Sequence, residues 1–262
     1  MPDPQFLTLG TGAAERRIAT LIDPGQGGEM PGLMWLPGFK SEMTSIKAST
    51  LAEWASNHRS PMTRFDYSGH GQSGGRFEDG TLSRWLEEAE HVFTQLTRGP
   101  QIVIGSSMGG HIALLLLRRL METDPDAASR IKALVLIAPA WDMTKLMWER
   151  FTKAIRREVM ENGVYYRPSN YGDGPYAITR GLLEDGKNHL IGSRPFNPGR
   201  PVYILHGLLD PDVPWEHSLD LVAHLNGDWT RVEAVPDGEH RLSRPEDIAL
   251  LLSIVDTAAK AG

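Results

Sequence analysis

Cysteine is missing from all 262 residues, which excludes a thiol nucleophile, a thiolate metal site and a disulfide framework together. Long hydrophobic runs are missing too. The longest apolar cluster, residues 112–117, falls far short of the ~18 residues of a membrane span, so no stable membrane insertion is expected. Residues 1–5 lack a basic stretch followed by an apolar one, and a cytoplasmic location is expected. Positive charge is also scarce, since 27 Lys and Arg face 33 Asp and Glu for a net charge of −6. A nucleic acid or an anionic surface as main partner would favour a concentrated basic face, so a small or neutral substrate fits better.

What is present suits a globular chain. With 40% hydrophobic and 23% charged residues, the chain can bury a core of one large domain, or of a domain plus a cap. Apolar runs of strand length recur at 32–36, 62–66, 101–105, 133–138, 201–206 and 231–235. Segments 44–57, 82–97, 111–121, 216–225 and 246–259 carry apolar residues at spacings of three and four, as amphipathic helices do. The alternation predicts an α/β fold with a mostly parallel sheet covered on both faces. Residues 6–9 and 17–22 suggest an antiparallel pair that begins it. Nearly sixty residues then separate two strands that a simple crossover would join with far fewer. We therefore expect residues 1–140 and 199–262 to form the core and 141–198 a helical cap. Its first part reads as one amphipathic helix with Trp148, Phe151, Ile155 and Val159 on one side. Trp141, Trp148 and Phe151 are candidate pocket residues, with packing inside the cap as the competing role.

The most informative segment joins the strand Ile102-Val103-Ile104 to the helix after His111 through Gly105-Ser106-Ser107-Met108-Gly109. A Gly-x-Ser-x-Gly turn between strand and helix is the layout of a nucleophile elbow, with Ser107 exposed at its tip. The letters alone do not suffice. Gly71-Gln72-Ser73-Gly74-Gly75 matches them too, and Gly69 to Gly74 also spells Gly-x-Gly-x-x-Gly. Neither opens a helix, because Arg76-Phe77-Glu78-Asp79-Gly80 has no apolar stripe, so the geometry that cradles phosphate is missing. That stretch reads as a structural loop, with His70 bracing it and a substrate contact as the competing role of that histidine.

A serine hydroxyl needs a histidine to take its proton and a carboxylate to orient the histidine. In an elbow fold they follow in the order Ser, acid, His, on loops after strands. The loop after 201–206 offers Asp210, with Asp212 as a rival nearer Val213 and Pro214, where the chain turns into a helix. The turn before the last helix offers His240. The preceding His206 is expected to shape the acid loop. An oxyanion needs two donors, for which the backbone N–H of Met108 and that of Phe39 are the candidates, with Gly38 allowing close approach. Glu87 and His91 stand at i, i+4 but read as a solvated helix face. With no His-Glu-x-x-His pattern, neither a metal nor an organic cofactor is expected.

Five segments together resemble a known family: Leu36-Pro-Gly-Phe-Lys-Ser-Glu-Met43, Arg64-Phe-Asp-Tyr-Ser-Gly69, Gly99-Pro-Gln-Ile-Val-Ile-Gly-Ser-Ser-Met-Gly-Gly110, His206-Gly-x-x-Asp-x-x-Val-Pro-Trp215 and Glu239-His-Arg-Leu242. Over nearly the whole chain the sequence is similar to the α/β-hydrolases, and within them to the acyl-glucuronide esterase and palmitoyl-protein thioesterase subfamily. The resemblance implies the α/β-hydrolase fold, a triad of Ser107, Asp210 and His240, and an acyl-enzyme route for esters or thioesters. The implied substrate is a small molecule or an acylated protein. Other chemistry on the same scaffold, carbon–carbon bond hydrolysis or peptide release, is the alternative enzyme reading. A non-catalytic receptor is the alternative outside enzymes.

Overall fold

The computed structural model describes residues 3–169 and 174–261. Eight strands form one sheet: β1 (Gln5–Leu9), β2 (Arg16–Asp23), β3 (Gly32–Leu36), β4 (Met62–Phe65), β5 (Gln101–Ser106), β6 (Ile131–Ile137), β9 (Val202–Gly207) and β10 (Thr230–Val235). Their spatial order is β1-β2-β4-β3-β5-β6-β9-β10. The β1–β2 and β2–β4 pairs are antiparallel, and all others are parallel. The sheet is thus mostly parallel and begins with the antiparallel pair, as expected.

Alternation along each strand divides the core. Leu33, Trp35, Ile102, Ile104, Val135 and Leu205 pack beneath α1 (Ile46–Asn57) and α9 (Pro245–Ala261). Met34, Leu36, Val103, Leu134 and Ile204 face α2 (Leu82–His91), α3 (Met108–Thr123) and α8 (Trp215–His224). Covered faces on both sides explain why the central strands read as unbroken apolar runs. The apolar cluster on α3 is buried all round, and every residue from Met108 to Leu117 is in the interior.

Three elements depart from the sequence expectation. A short helix α4 (Pro125–Arg130) precedes β6; Asp124 caps it by accepting the Ala127 N–H at 3.0 Å. The helix expected over 82–97 keeps its α form only to His91 and closes with a π turn, Val92–Leu96. Between β6 and β9, the single amphipathic helix is two: α5 (Met143–Arg150) and α6 (Lys153–Asn162). The break falls at Phe151, which is extended, and Thr152 restarts the chain by accepting the Ile155 N–H. The same insertion holds α7 (Arg180–Gly186) and a hairpin of β7 (Val164–Arg167) and β8 (Tyr176–Thr179), so strands join the helices there. Among the described residues no helix is long and apolar enough to cross a membrane.

Candidate active site

The chain reverses from β5 to α3 on one residue, Ser107, whose backbone sits at φ 53° and ψ −114°. Such a conformation costs a non-glycine residue about 1–3 kcal/mol, so neighbours must hold it. The Ser107 N–H donates to Ile137 O at 2.8 Å, and Ser107 O accepts from the Ala140 N–H at 3.1 Å. The flanking glycines answer a steric demand. A Cβ on Gly105 would lie 2.2 Å from Gly109 O, and one on Gly109 would lie 2.0 Å from Leu36 O. The Gly-x-Ser-x-Gly spacing therefore follows from how closely α3 crosses β5 and β3.

Asp210 lies on the loop after β9 and His240 on the loop between β10 and α9. Although distant in sequence, the two meet Ser107: His240 Nδ1 is 2.6 Å from Asp210 Oδ2, and His240 Nε2 is 3.0 Å from Ser107 Oγ. Asp210 Oδ1 accepts from the Asp212 and Val213 N–H at 2.8 and 2.9 Å. Burial pushes the Asp210 carboxyl up, but hydrogen bonds from His206, His240 and the Val213 N–H outweigh it and hold the group well below the usual carboxylate range. An ionised carboxylate only accepts, so the network assigns the proton of His240 to Nδ1 and turns the Nε2 lone pair toward Ser107. This arrangement can draw the proton off Oγ as the oxygen attacks an electrophile.

His206 is fully buried behind the acid. Its Nε2–H donates to Val213 O at 3.0 Å, its Nδ1 accepts from the Ser218 hydroxyl at 2.6 Å, and Nε2 lies 3.3 Å from Asp210 Oδ2. It shapes the acid loop, the role its place before Gly207 suggested. The rival carboxylate Asp212 faces Arg167 of β7 at 4.0 Å.

Phe39 sits on the loop after β3, and Met108 directly follows the nucleophile. Gly38 packs so tightly on the elbow that a Cβ there would lie 3.2 Å from Ser106 O and 3.5 Å from Ser107 Cβ. Among the described residues neither the Phe39 nor the Met108 N–H has a backbone or side-chain acceptor. Neither N–H is thus committed to another group of the described chain.

A cavity of about 620 Å³ opens over Ser107 and His240. Its far wall comes from the insertion, through Met147, Phe151, Ile155, Tyr165 and Tyr176. Of the aromatic residues expected to line it, only Phe151 does so, and the expectation for Trp141 and Trp148 is corrected. Trp141 stacks on His217, with ring centroids 4.8 Å apart, and donates its indole N–H to His217 O at 2.7 Å. Trp148 packs with Phe151, Ile155 and Tyr165 inside the insertion.

The sequence reading missed four cations of the cavity wall, Lys40, Lys47, Arg167 and Arg241, which stand there with Arg150. Lys47 is the most unusual, because it is almost wholly buried. Burial, then the nearby Arg241 charge, push its ammonium down to about 8 against the pull of Asp247. A signal existed: Lys47 stands four residues before Leu51 and eight before Ala55, on the buried stripe of α1. Among the described residues, the group that could hold a metal ion is Asp210, Asp212 and His240. A cation there would compete with the Ser107 relay for the same His240 ring. Glu87, paired with Arg16, belongs to the α2 surface.

Comparison with known proteins gives concordant likenesses. A family described as serine aminopeptidase, S33, matches residues 33–179. The mitochondrial palmitoyl-protein thioesterase ABHD10 of Homo sapiens is 30% identical over 230 residues, which span 87% of this chain and 73% of that protein. A putative hydrolase from Agrobacterium vitis S4 superposes with a TM-score of 0.94 at 41% identity, covering 98% of each chain. Alpha/beta hydrolase domain-containing protein 10 from mouse superposes at 0.84 with 27% identity, covering 98% of this chain and 100% of that one.

Proposed function

The chain belongs to the α/β-hydrolases and is a hydrolase of that family, and from that premise we propose that it cleaves carboxylic esters or thioesters through an acyl-enzyme on Ser107. One observation carries this reading: the unbroken hydrogen-bond chain from Asp210 through His240 to Ser107 Oγ at the floor of a cavity.

The steps follow from the atoms. Ser107 Oγ attacks the acyl carbon while its proton passes to His240 Nε2, and Asp210 stabilises the resulting imidazolium. The carbonyl oxygen, now an oxyanion, takes the N–H groups of Phe39 and Met108. The C–O or C–S bond then breaks, and the leaving oxygen or sulfur carries away the His240 proton. A water activated by His240 attacks the acyl-enzyme in turn, releasing the acid and restoring Ser107.

The largely apolar far wall supports an acyl chain on that side. The name of the human relative, a palmitoyl-protein thioesterase, supports including thioesters and acylated proteins among the substrates, and acyl glucuronides come from the sequence resemblance. A cytoplasmic location belongs to the same proposal, although that relative is named mitochondrial; fractionation of a tagged chain tests it.

Initial rates on p-nitrophenyl esters from acetyl to palmitoyl, on palmitoyl thioesters and on acyl glucuronides test the reaction, with Ser107→Ala alongside. Turnover by the wild type that disappears in Ser107→Ala is expected. Undiminished turnover in the variant would sink the serine mechanism. Because the matching family is described as an aminopeptidase, aminoacyl p-nitroanilides join the panel. Faster cleavage of those than of any ester would replace the ester reading with peptide release.

A further inference from the structure

The Gly-rich loop that duplicates the elbow pattern takes no part in the reaction above, yet it packs directly against the loop that carries Phe39. His70, at its start, is 4% exposed and does not line the cavity. Its Nε2 accepts the Lys40 N–H at 3.0 Å, and its Nδ1 lies 3.2 Å from Ser68 O. A carbonyl only accepts, so Nδ1 carries the proton and Nε2 is left as the acceptor. Lys40 itself is left-handed at φ 57°, a conformation that needs external support in a residue with a side chain.

Two further contacts join the loops. The rings of Phe77 and Trp85 meet His70 at 5.0 and 5.4 Å, and the same two rings meet Phe39 at 4.9 and 5.9 Å. Asp66 bridges as well, with Oδ1 accepting the Met43 N–H at 2.6 Å and Oδ2 the Gln72 N–H at 2.9 Å. The peptide between Phe39 and Lys40 is thus held at its nitrogen by His70, and the Phe39 side chain by a box shared with His70. Fixing that peptide fixes the backbone of Phe39, and so the direction of the Phe39 N–H.

We propose that His70 is a positioning residue for the oxyanion hole, accepting the Lys40 N–H so that the neighbouring Phe39 N–H aims at the developing oxyanion. The inference rests on the acyl-transfer reading. It gives the Gly-x-Gly-x-x-Gly stretch a function: its turn brings an imidazole acceptor beneath the oxyanion loop.

The test compares His70→Gln, whose amide oxygen can reach the position of Nε2, with His70→Asn, which is too short, and His70→Leu, which has no acceptor. Loss of a whole oxyanion donor costs about 10²- to 10³-fold in kcat. Mis-aiming one should lower kcat by about 10- to 100-fold in His70→Asn and His70→Leu, with KM within about threefold. His70→Gln should recover most of the loss. Affinity for a trifluoromethyl ketone, whose hemiketal places an oxyanion in the hole, should fall in parallel with kcat, while affinity for the product carboxylate stays level. A fold-only role would move the melting temperature and leave the ratio of those two affinities unchanged. Equal kcat in the Gln and Asn variants would overturn the assignment, whether or not His70→Leu folds. Ser107→Ala, run in parallel, separates the two ideas, since its retained turnover would remove the acyl-transfer reading itself.

Discussion

Acid should loosen this protein through a histidine that the reaction does not use. His111, in the first turn of α3, is fully buried; its Nε2 lies 3.0 Å from His189 O, so Nε2 is the protonated nitrogen, and its Nδ1 has no hydrogen-bond partner among the described residues. The Asp142 carboxylate stands 3.7 Å away, beyond hydrogen bonding, and is engaged by the Ile191 and Gly192 N–H. Burial therefore dominates and pushes the imidazole from 6.5 down to about 3. The sign follows from which state binds the proton. Above pH 6.5 both states hold neutral histidine. As the pH falls through 6.5, the unfolded chain takes a proton that the folded one refuses, and stability is lost until the folded group titrates near 3. At pH 5 the loss is about 2 kcal/mol, taking about 1.36 kcal/mol per pH unit over the 1.5 units below 6.5. Buried Asp66 and Glu88, whose carboxyls burial pushes up, work in the opposite direction, so the absolute slope is not the measure. The comparison is with His111→Gln, whose amide can still donate to His189 O. Urea denaturation at pH 7 and pH 5 should show the wild type losing about 2 kcal/mol more than the variant. Equal losses would refute the claim that His111 is buried as a neutral ring.

Four further outcomes follow from the structure. Gly109→Ala forces a Cβ against Leu36 O, a clash between two backbones with no flexible side chain to yield; it should destabilise by about 2 kcal/mol or more, read as a lower denaturation midpoint. Ser73→Ala should keep full labelling by a fluorophosphonate, because Ser73 Oγ is committed to Asp66 O and the Ala19 N–H, whereas Ser107→Ala should lose it; label on Ser73 would place the nucleophile in the wrong motif. Trp141→Phe should cost about 1 kcal/mol for the lost hydrogen bond with KM unchanged. Phe151→Ala should raise KM for long-chain esters by about tenfold, equal to about 1.4 kcal/mol, and leave acetyl esters alone; KM effects in the reverse order would contradict the cavity wall.

The sheet was legible because its central strands are buried on both faces, which turns them into short apolar runs that alternate with amphipathic helices. Where burial is one-sided or the element short, the signal thinned. The cap at Asp124-Pro125 that starts α4 was readable as a helix start, yet α4 has only six residues and contributes too few apolar positions to show a period. The break at Phe151 was harder. Trp148, Phe151, Ile155 and Val159 keep helical spacing across it, and only Thr152, a capping residue, hints that the helix begins again. Periodicity survived a break in the helix that it could not reveal; of the two aromatic rings on that stripe Phe151 reaches the cavity, while Trp148 takes the packing role that the sequence also allowed.

For the site, chain order succeeded where residue type alone would not. Nine histidines and 33 acidic residues occur, but few stand on a loop after a late strand, and only such loops can meet the elbow at one edge of the sheet. Two copies of Gly-x-Ser-x-Gly sharpen the point. In each, glycine is demanded by close approach: Gly109 to Leu36 O in one, and in the other Gly71, where a Cβ would lie 2.1 Å from Asp66 Oδ2. The same letters thus answer two steric problems. What separates them is the segment that follows. Met108 to Leu117 can bury a helix against the sheet, which lifts Ser107 to the edge. Arg76 to Gly80 cannot, so Ser73 stays folded into its own loop, where its hydroxyl closes a turn. A catalytic motif in this fold is therefore read from the burial of the helix after the serine, and a serine in the right letters without that helix is a brace.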